Sequence, residues 1–452
     1  MTDRNQSRKV PAVWVLPVSS ILGIFLIWCW WLIFSPGHEP DLSGLAKPIS
    51  ASVLRNAGEK AASLFPGAEN MGKQAPAKGA FKPWDISSIS SSCRGNGIKD
   101  GRSGRVILIT GAAGFLGSQA ALAFKHRGDG VLGIDNFNDF YAPSLKRARQ
   151  ALLKTEGVHV ADGDVNDRKL LNKLFEACHF SHVLYLSNQA GVSYASTNHQ
   201  AYTHSNVAGL TNVLEVAKAQ AVLPAVVYGS SSSVYGLNSK VPGLESDLVN
   251  QPASLAAATM RAGELMAHSS HAIHGLSVTG LRFSAVYGPW ARPDSVPFKF
   301  AVSMMKGQAI PIYAAEDGTE LARDFTFGAD VVAGIVAAID TAGSSIRDHA
   351  LYRIFNIGSP QAHTISSMLD LLERFLERKA VRQVVPLPPG EDVLQTSTDI
   401  SAAERDLSYR PKVSLEAGMQ NFTSWFYGYY GNVRADAARF AADWGYQAFQ
   451  QD

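Results

Sequence analysis

Short apolar runs alternate with helical patterns along the chain from Arg105 to about Pro289. The runs are rich in β-branched residues, and each is followed by a stretch in which apolar residues recur at helical spacing. Strands that alternate with helices form βαβ units, so the pattern predicts an α/β fold with a doubly wound parallel sheet. The predicted strands are 105–110, 131–135, 158–164, 182–187, 225–230 and 277–283.

The alternation becomes irregular after about Pro289, and helical patterns dominate from there. We therefore expect a main domain over residues 105–290 and a smaller C-terminal lobe over residues 291–430, interleaved with the first. Residues 431–452 are expected to form a C-terminal tail. No internal repeat is evident in the sequence.

The N-terminal part of the chain has the character of a membrane anchor. Residues 12–34 carry no charge, and their length matches the roughly 20 residues that cross a bilayer. Basic residues in the preceding segment, 1–11, predict that it is a cytosolic tail and that the rest of the chain lies on the other side. A cleaved signal peptide is the alternative, although its apolar region would be shorter and followed by a small-residue cleavage site.

A linker is predicted between this anchor and the main domain. Residues 35–104 are rich in Pro, Gly, Ser and Ala and show no sustained apolar period, as expected of a stem rather than a core.

Composition narrows the possible partners. The chain has 41 basic and 39 acidic residues, which gives no electrostatic reason to expect nucleic acid as a partner. Its three cysteines, Cys29, Cys93 and Cys178, are too few and too scattered for a disulfide framework or a zinc site. Because Cys178 falls on an apolar helical stripe, we expect it to be a buried structural thiol. No metal is expected.

A glycine-rich loop, GAAGFLG at 111–117, directly follows the first predicted strand and leads into a helical pattern. Glycines at 111, 114 and 117 allow a tight turn, a close approach of a pyrophosphate and tight packing of helix on strand, while the helix N-terminus offers N–H groups to phosphates. The spacing alone is weak evidence, but the strand before it and the helix after it are the required context. The loop therefore predicts a dinucleotide site, with a plain glycine-rich turn as the alternative.

Two acidic residues and a serine cluster extend this predicted site. Asp135 ends the second strand, where its carboxylate can accept hydrogen bonds from a ribose 2′-hydroxyl and would repel a 2′-phosphate, which favours NAD over NADP. Asp164 is placed either to contact the adenine or merely to cap the next helix. The run YGSSSSVYG at 228–236 sets four serines at the carboxyl end of a strand, where open α/β sheets bind ligands, although a plain loop is the alternative.

These stretches carry a family resemblance. Residues 105 to about 430 resemble the extended short-chain dehydrogenase/reductases, and among them the membrane-anchored UDP-glucuronate 4-epimerases of plants and algae. The matching stretches include VILITGAAGFLGS, DNFNDFYAPSLKRARQ, SSSSVYG, QPASL, VYGPW and ARDFT. The resemblance implies a Rossmann domain that binds NAD, a C-terminal lobe that binds a UDP-sugar, and a homodimer or a heterodimer with a related epimerase. It also implies a single-pass type II protein of the Golgi membrane with a lumenal globular domain.

The resemblance assigns roles to individual residues. It implies that the cofactor is bound by Gly111, Gly114, Phe115, Leu116 and Gly117 at the pyrophosphate, Asp135 and Asn136 at the adenosine ribose, Asp164 and Val165 at the adenine, and Asn206 near the nicotinamide-side ribose. It implies that Ser231 is a catalytic residue that bonds the sugar 4-hydroxyl. It also implies that the substrate is bound by Ser232, Ser233 and Arg292 at the carboxylate and by Arg323 at the uridine diphosphate. Alternatively, Arg323 is a surface ion-pair partner of Asp324.

The chain departs from the family where the chemistry is expected. In the family, a Tyr takes the proton of the sugar 4-hydroxyl while C4 gives a hydride to NAD, and a Lys one turn later on the same helix face assists. Here SLAAATM at 254–260 places Ala256 and Met260 at those positions, while the flanking motifs keep their register. Arg261 cannot replace the Lys, because one residue further rotates it by about 100° around the helix. Other departures are Ser187, Asn188, Ser193 and Ala285.

Two functions follow from this pattern. The first is an NAD-dependent interconversion of UDP-glucuronate and UDP-galacturonate, slow or with an unrecognised base. The second is a catalytically impaired protein that binds NAD and a nucleotide sugar and pairs with an active epimerase.

Overall fold

A computed structural model describes residues 86–94, 104–238, 240–343, 350–387 and 393–430. The strands are β1 (Val106–Thr110), β2 (Gly130–Asp135), β3 (His159–Asp162), β4 (His182–Tyr185), β5 (Ala225–Ser231), β6 (Val278–Phe283), β7 (Ala285–Tyr287), β8 (Ala309–Ala314), β9 (Ala322–Phe327), β10 (Tyr352–Ile357), β11 (Ala362–Thr364), β12 (Val381–Pro386) and β13 (Gln395–Thr396). The helices are α1 (Ile86–Ser92), α2 (Phe115–Arg127), α3 (Pro143–Thr155), α4 (Arg168–Ala177), α5 (Val192–Ala195), α6 (His199–Tyr202), α7 (Leu210–Lys218), α8 (Leu255–His274), α9 (Val296–Lys306), α10 (Gly328–Thr341), α11 (Ile365–Leu376), α12 (Ser401–Leu407) and α13 (Leu415–Tyr430). A π-helical segment, Thr203–Gly209, runs directly into α7, and a 3₁₀ turn, Ser232–Tyr235, follows β5.

Seven strands form the main sheet, in the order β10-β6-β5-β4-β1-β2-β3, and every pairing in it is parallel. The strands at its centre are almost wholly buried, which explains why they read as continuous apolar runs rather than as alternating ones. The predicted doubly wound parallel sheet is confirmed, and all six predicted strands are present within a few residues of their expected bounds.

The seventh strand of the sheet, β10, was not predicted. It pairs with β6 at the sheet edge, and α10 before it packs on α2, so this stretch returns to the main domain after the first part of the lobe. The lobe itself contains β9, which pairs with β7, β11 and β13, and a separate parallel pair of β8 and β12. The interruption by lobe residues removes the regular strand–helix alternation on which sequence prediction depends.

A buried ion pair fixes α8 against the sheet. The carboxylate of Glu264 is fully buried and accepts hydrogen bonds from Arg282 Nε at 2.8 Å, Arg282 NH2 at 2.9 Å and Ser230 Oγ at 2.8 Å. Burial raises the pKa of Glu264, but the hydrogen bonds and charge of Arg282 outweigh it and hold that pKa below its usual value. Because breaking such a pair costs about 3–5 kcal/mol, the orientation of α8 is strongly specified.

A disulfide joins Cys93 to Cys178, so the expectation that Cys178 is a free buried thiol is wrong. The two Cα atoms lie 6.0 Å apart. The segment 86–94 lies against the β2–β3 edge of the sheet: Ile89 is buried there, and Ser92 Oγ accepts from the His159 backbone N at 2.9 Å. So short a helix, set in a polar stretch, gives too weak a periodic signal for its docking to be predicted from sequence.

The predicted membrane anchor, residues 12–34, lies outside the described residues, as do the predicted tails 1–11 and 431–452 and most of the stem. Among the helices that the structure describes, none is long and apolar enough to cross a bilayer.

We expect the Cys93–Cys178 disulfide to stabilise the domain, because it closes a loop of 85 residues in the unfolded chain. The substitution Cys93→Ser should lower the free energy of unfolding by about 2–4 kcal/mol in the absence of reductant, as measured by chemical denaturation. Reductant should destabilise the wild-type chain by a similar amount and leave the variant unchanged. Equal stability of the two proteins would contradict the prediction.

Candidate active site

A cavity of about 280 Å³ lies where the carboxyl ends of the central strands meet. In open α/β sheets this edge is where ligands bind, because loops from both halves of the sheet converge there. The cavity is lined by the glycine loop and Asp164 and also by Met260 and Arg292.

The glycine loop brings backbone atoms together too closely for any side chain. Gly111 has a φ of +68°, and a Cβ there would lie 2.4 Å from the carbonyl O of Leu186. A Cβ on Gly114 or on Gly117 would lie 2.9 Å or 2.1 Å from the carbonyl O of Gly111. These contacts turn the chain from β1 into α2 and aim the helix N-terminus into the cavity, which suits a pyrophosphate. Phe115 and Leu116, the first residues of the helix, also line the cavity, as predicted.

Asp135 holds this loop as well as lining the cavity. Its Oδ2 accepts from the Ala113 backbone N at 3.0 Å, and its Oδ1 accepts from the Phe137 backbone N at 2.9 Å. Each carboxylate oxygen has a second lone pair that can accept from a ribose hydroxyl. The position predicted from the strand end is therefore compatible with the adenosine ribose.

A polar cluster surrounds Asp164 in the cavity. Asn136 Nδ2 donates to Asp164 Oδ2 at 2.8 Å, and His204 Nε2 lies 3.1 Å from both carboxylate oxygens. Burial raises the pKa of Asp164, but hydrogen bonds from Asn136, the Asn166 backbone and His204 outweigh it and lower that pKa. Val165, beside this cluster, lines the cavity as well. Sequence reasoning missed His204, which the π-helical segment presents to the cavity.

Lys146 is another lining residue that sequence reasoning missed. It lies on α3, and its Nζ donates to the carbonyl O of Asn138 at 2.9 Å and to Asn138 Oδ1 at 2.6 Å. Burial lowers the pKa of Lys146 to about 8, although the negative charge of Asp135 acts to raise it. A buried cation next to the glycine loop is suited to a bound anion, but helical spacing alone could not show that α3 faces the cavity.

The four consecutive serines at the end of β5 and in the turn after it divide between two cavities. Ser231 lines the large cavity, and its Oγ accepts from the Ser233 backbone N at 3.2 Å. Ser232 and Ser233 instead line a second cavity of about 90 Å³, together with residues such as Ser254 and Thr396. The structure therefore brings Ser231, but not the next two serines, to the cavity that contains Arg292.

Arg292 lies in the large cavity with part of its guanidinium already engaged. Its Nε and NH2 donate to Asp294 at 2.9 and 2.6 Å, and NH2 also donates to the carbonyl O of Ala190 at 3.3 Å. Burial lowers the pKa of Arg292, but the charge and hydrogen bonds of Asp294 outweigh burial, so the pKa of Arg292 is raised. The side chain is thus held as a cation at the edge of the cavity, where it can meet a carboxylate.

Two predicted residues lie outside both cavities. Asn206 is buried and does not line the large cavity. Its Oδ1 accepts from the Gln189 backbone N at 2.7 Å. Its Nδ2 donates to the Gln189 carbonyl O at 2.9 Å and to Thr259 Oγ1 at 3.0 Å. Asn206 is therefore a positioning residue for the end of β4. Arg323 NH1 donates to the carbonyl O of Ala322 at 2.8 Å and of Leu394 at 3.2 Å.

Comparison with known proteins agrees with this geometry. Residues 107–358 match the model of the NAD dependent epimerase/dehydratase family. The chain belongs to this family. It is 50% identical over 343 residues to UDP-glucuronate 4-epimerase 3 of Arabidopsis thaliana. The aligned region covers 75% of this chain and 80% of the Arabidopsis chain. The fold also resembles the UDP-glucuronic acid 4-epimerase of Bacillus cereus solved with UDP-glucuronic acid and NAD, at a TM-score of 0.63 and 30% identity over 71% of this chain and 98% of that one.

The resemblance inferred from the sequence is thus confirmed, and the cavity fits the cofactor of the family. The three glycines keep the loop compact, because a Cβ at Gly111, Gly114 or Gly117 would clash with backbone atoms. Asp135 and Lys146 line the same cavity. When bound, NAD supplies a hydride acceptor and donor. Arg292 and Ser231 lie in the same cavity, where a sugar that carries a carboxylate can be oriented.

The catalytic pair of the family is absent from the cavity. Met260 lines it, while Ala256, one turn earlier on α8, packs in a buried cluster with Ala195 and Tyr202. Arg261 does not replace the missing Lys, since it donates to Glu264 Oε2 at 2.9 Å and is not among the residues that line the cavity.

Neither of two tyrosines near in sequence, Tyr235 and Tyr194, lines the cavity. Tyr235 packs against Met260, but its hydroxyl donates to Asn356 Oδ1 at 2.7 Å, and burial raises its pKa to about 12. Tyr194 packs on Phe140 with ring centroids 4.5 Å apart and does not line the cavity. The side chain of Ser193 lies outside the described part of the chain.

We expect Lys146 to make stability depend on alkaline pH. At neutral pH the amine is protonated in both states, so burial of the ammonium destabilises the fold. The pKa of Lys146 is about 8 in the folded chain, against an ordinary value of 10.5. Between these two pH values the folded chain has lost the proton and the unfolded chain has kept it. The free energy of unfolding should therefore rise with pH over this interval, by up to about 3 kcal/mol. Lys146→Met should abolish this rise in denaturation curves of the cofactor-free chain, whereas the same change at exposed Lys169 should preserve it. An unaltered pH profile in Lys146→Met would refute this role.

Proposed function

We propose that this chain is a UDP-glucuronate 4-epimerase-like protein that binds NAD and a UDP-uronate but epimerises slowly on its own. The observation that carries the proposal is the contrast within one cavity. The glycine loop, Asp135, Ser231 and Arg292 are in place for binding, whereas the helix face that should supply acid and base presents Met260. The names of the Arabidopsis and Bacillus relatives support the substrate and the cofactor.

The residues of the cavity can perform the binding steps of an epimerase. Arg292 can donate two hydrogen bonds to a sugar carboxylate, and the Ser231 hydroxyl can bond a sugar hydroxyl. The step they do not provide is removal of the proton from the 4-hydroxyl. General acid–base catalysis by a positioned side chain raises a reaction rate about 10²–10⁴-fold. We therefore expect this chain to epimerise more slowly than an intact family member by about that factor.

A second candidate function is that of a binding partner for an active epimerase of the same family. It is favoured by the apolar side chains that α8 exposes to solvent: Leu265 is 54% exposed, Ile273 70% and Met266 38%. Since α8 also carries Ala256 and Met260, a partner bound to its exposed face would contact the same helix that carries the altered positions.

We further propose that the protein is a single-pass type II protein of the Golgi membrane with its globular domain in the lumen. The uncharged stretch 12–34 and the basic residues before it support this orientation. The Cys93–Cys178 disulfide supports it independently, because disulfides persist in oxidising compartments and are rare in the cytosol.

The catalytic proposal predicts a gain of function. In the full chain with NAD and UDP-glucuronate, Ala256→Tyr/Met260→Lys should form UDP-galacturonate about 10²–10⁴ times faster than the wild-type chain, as followed by chromatography. The matched control is Ala256→Phe/Met260→Lys, which supplies the ring and the ammonium without the hydroxyl and should stay slow.

Two other results would change the conclusion. Turnover of the wild-type chain at about 1 s⁻¹ or more would show that the missing pair has been replaced. If both the wild-type chain and the double variant are silent although NAD binds, the proposal of a slow epimerase fails and the binding-partner function is favoured.

The proposed topology is tested by protease protection of sealed membrane vesicles that contain the full chain. The globular domain should resist added protease until detergent opens the vesicles. In the denatured chain, an alkylating reagent of high mass should label two more cysteines after reduction than before it, which is measured as an increase in the mass of the chain. Digestion of the domain in intact vesicles would rule out the lumenal placement.

A further inference from the structure

Asn188 is a polar residue of the cavity to which no role has been assigned above. It follows β4 at the carboxyl edge of the sheet and lines the cavity at the end where Met260 lies. Its Nδ2 lies 3.5 Å from Met260 Sδ. Since a thioether is a weak acceptor, this contact leaves the amide donors almost unused.

The other half of the Asn188 carboxamide is also available. Its Oδ1 is buried and has no hydrogen-bond partner among the residues that the structure describes. A buried amide oxygen without a partner has lost its hydrogen bonds to water without replacement, so its position in the cavity points to a ligand. Gly229 on β5 makes room for it, because a Cβ at that position would lie 3.2 Å from Asn188 Oδ1.

Asn188 therefore stands beside the position where the family has its lysine. A lysine at 260 would extend its ammonium beyond the position of Met260 Sδ, into the space that the Asn188 amide borders. In the family that ammonium holds the nicotinamide-side ribose. A carboxamide offers both donors and an acceptor, as a ribose diol does, so the two can pair in both directions.

We propose that Asn188 is a cofactor-binding residue that bonds the hydroxyls of the nicotinamide-side ribose in place of the missing lysine. The proposal rests on NAD binding, which belongs to the proposed function, but it does not require turnover. Its consequence is a neutral contact where the family has a cation. The chain thereby keeps hydrogen bonds to the nicotinamide-side ribose without placing a charged group close to the nicotinamide ring.

The test compares three ligands on the full chain after removal of any co-purified dinucleotide. NAD⁺ and ADP-ribose both contain this ribose, whereas ADP lacks it. Isothermal titration calorimetry should show that Asn188→Ala weakens NAD⁺ and ADP-ribose about tenfold, as expected for the loss of one or two hydrogen bonds, and leaves ADP unchanged. The matched control is Asn198→Ala, which removes the same group from a residue outside the cavity lining and should change none of the three.

A second arm restores the lysine. In a Met260→Lys background the ammonium should bond the ribose itself, so the effect of Asn188→Ala should shrink to about twofold or less, the non-additivity expected of groups that share a ligand. Met260→Lys should also weaken NAD⁺ relative to NADH, because the new cation repels the oxidised ring.

Three results would overturn the proposal. In the first, Asn188→Ala leaves NAD⁺ binding unchanged, so the residue makes no contact with the cofactor. In the second, NAD⁺ weakens but ADP-ribose does not, so the contact is to the nicotinamide and not to the ribose. In the third, ADP weakens as much as NAD⁺, which would reveal a general disturbance of the site. The ADP arm thus separates misfolding from a lost contact, and none of the arms depends on whether the chain epimerises.

Discussion

The arrangement of the site depends on the buried ion pair between Glu264 and Arg282. The pair ties the middle of α8 to β6, while Ser230 on β5 donates to the same carboxylate. Arg282 NH1 also donates to the hydroxyl of Tyr235, which donates in turn to Asn356 on β10. Three neighbouring strands and one helix therefore meet at a single charge pair. Because a buried charge without its partner is so costly, α8 cannot rotate or slide, and the face that it turns to the cavity is fixed.

This constraint explains how the chain can lose its chemistry and keep its fold. Ala and Met are good helix formers, so α8 loses no helix propensity at positions 256 and 260. The orientation of the helix comes from Glu264, which is one turn beyond Met260, and the cofactor cradle comes largely from the backbone of the glycine loop. Binding and proton transfer are thus carried by different parts of the structure, and they can be lost separately.

The main features of the fold could be predicted because they follow from local patterns. Apolar runs located six strands, and the glycines between the first strand and helix located the cofactor cradle. Residues whose role depends on distant packing could not be found in this way. Lys146 reaches the cavity because α3 packs with a particular rotation, and β10 joins the sheet only after lobe residues have intervened. Asn206 was assigned to the cofactor from the resemblance, and only the structure shows that its side chain bonds Gln189, in the loop after β4, and Thr259 on α8.

The Cys93–Cys178 disulfide has a further consequence for how the chain is made. The 85-residue loop that it closes contains β1, β2 and β3, the half of the sheet whose ends carry the glycine loop, Asp135 and Asp164. All of this half emerges from the ribosome before β5, α8 and the lobe exist, and N-terminal units fold first during synthesis. In an oxidising compartment the bond can therefore close this half of the sheet covalently before the rest of the sheet is synthesised. The later strands and the lobe then pack on a part of the fold that is already cross-linked.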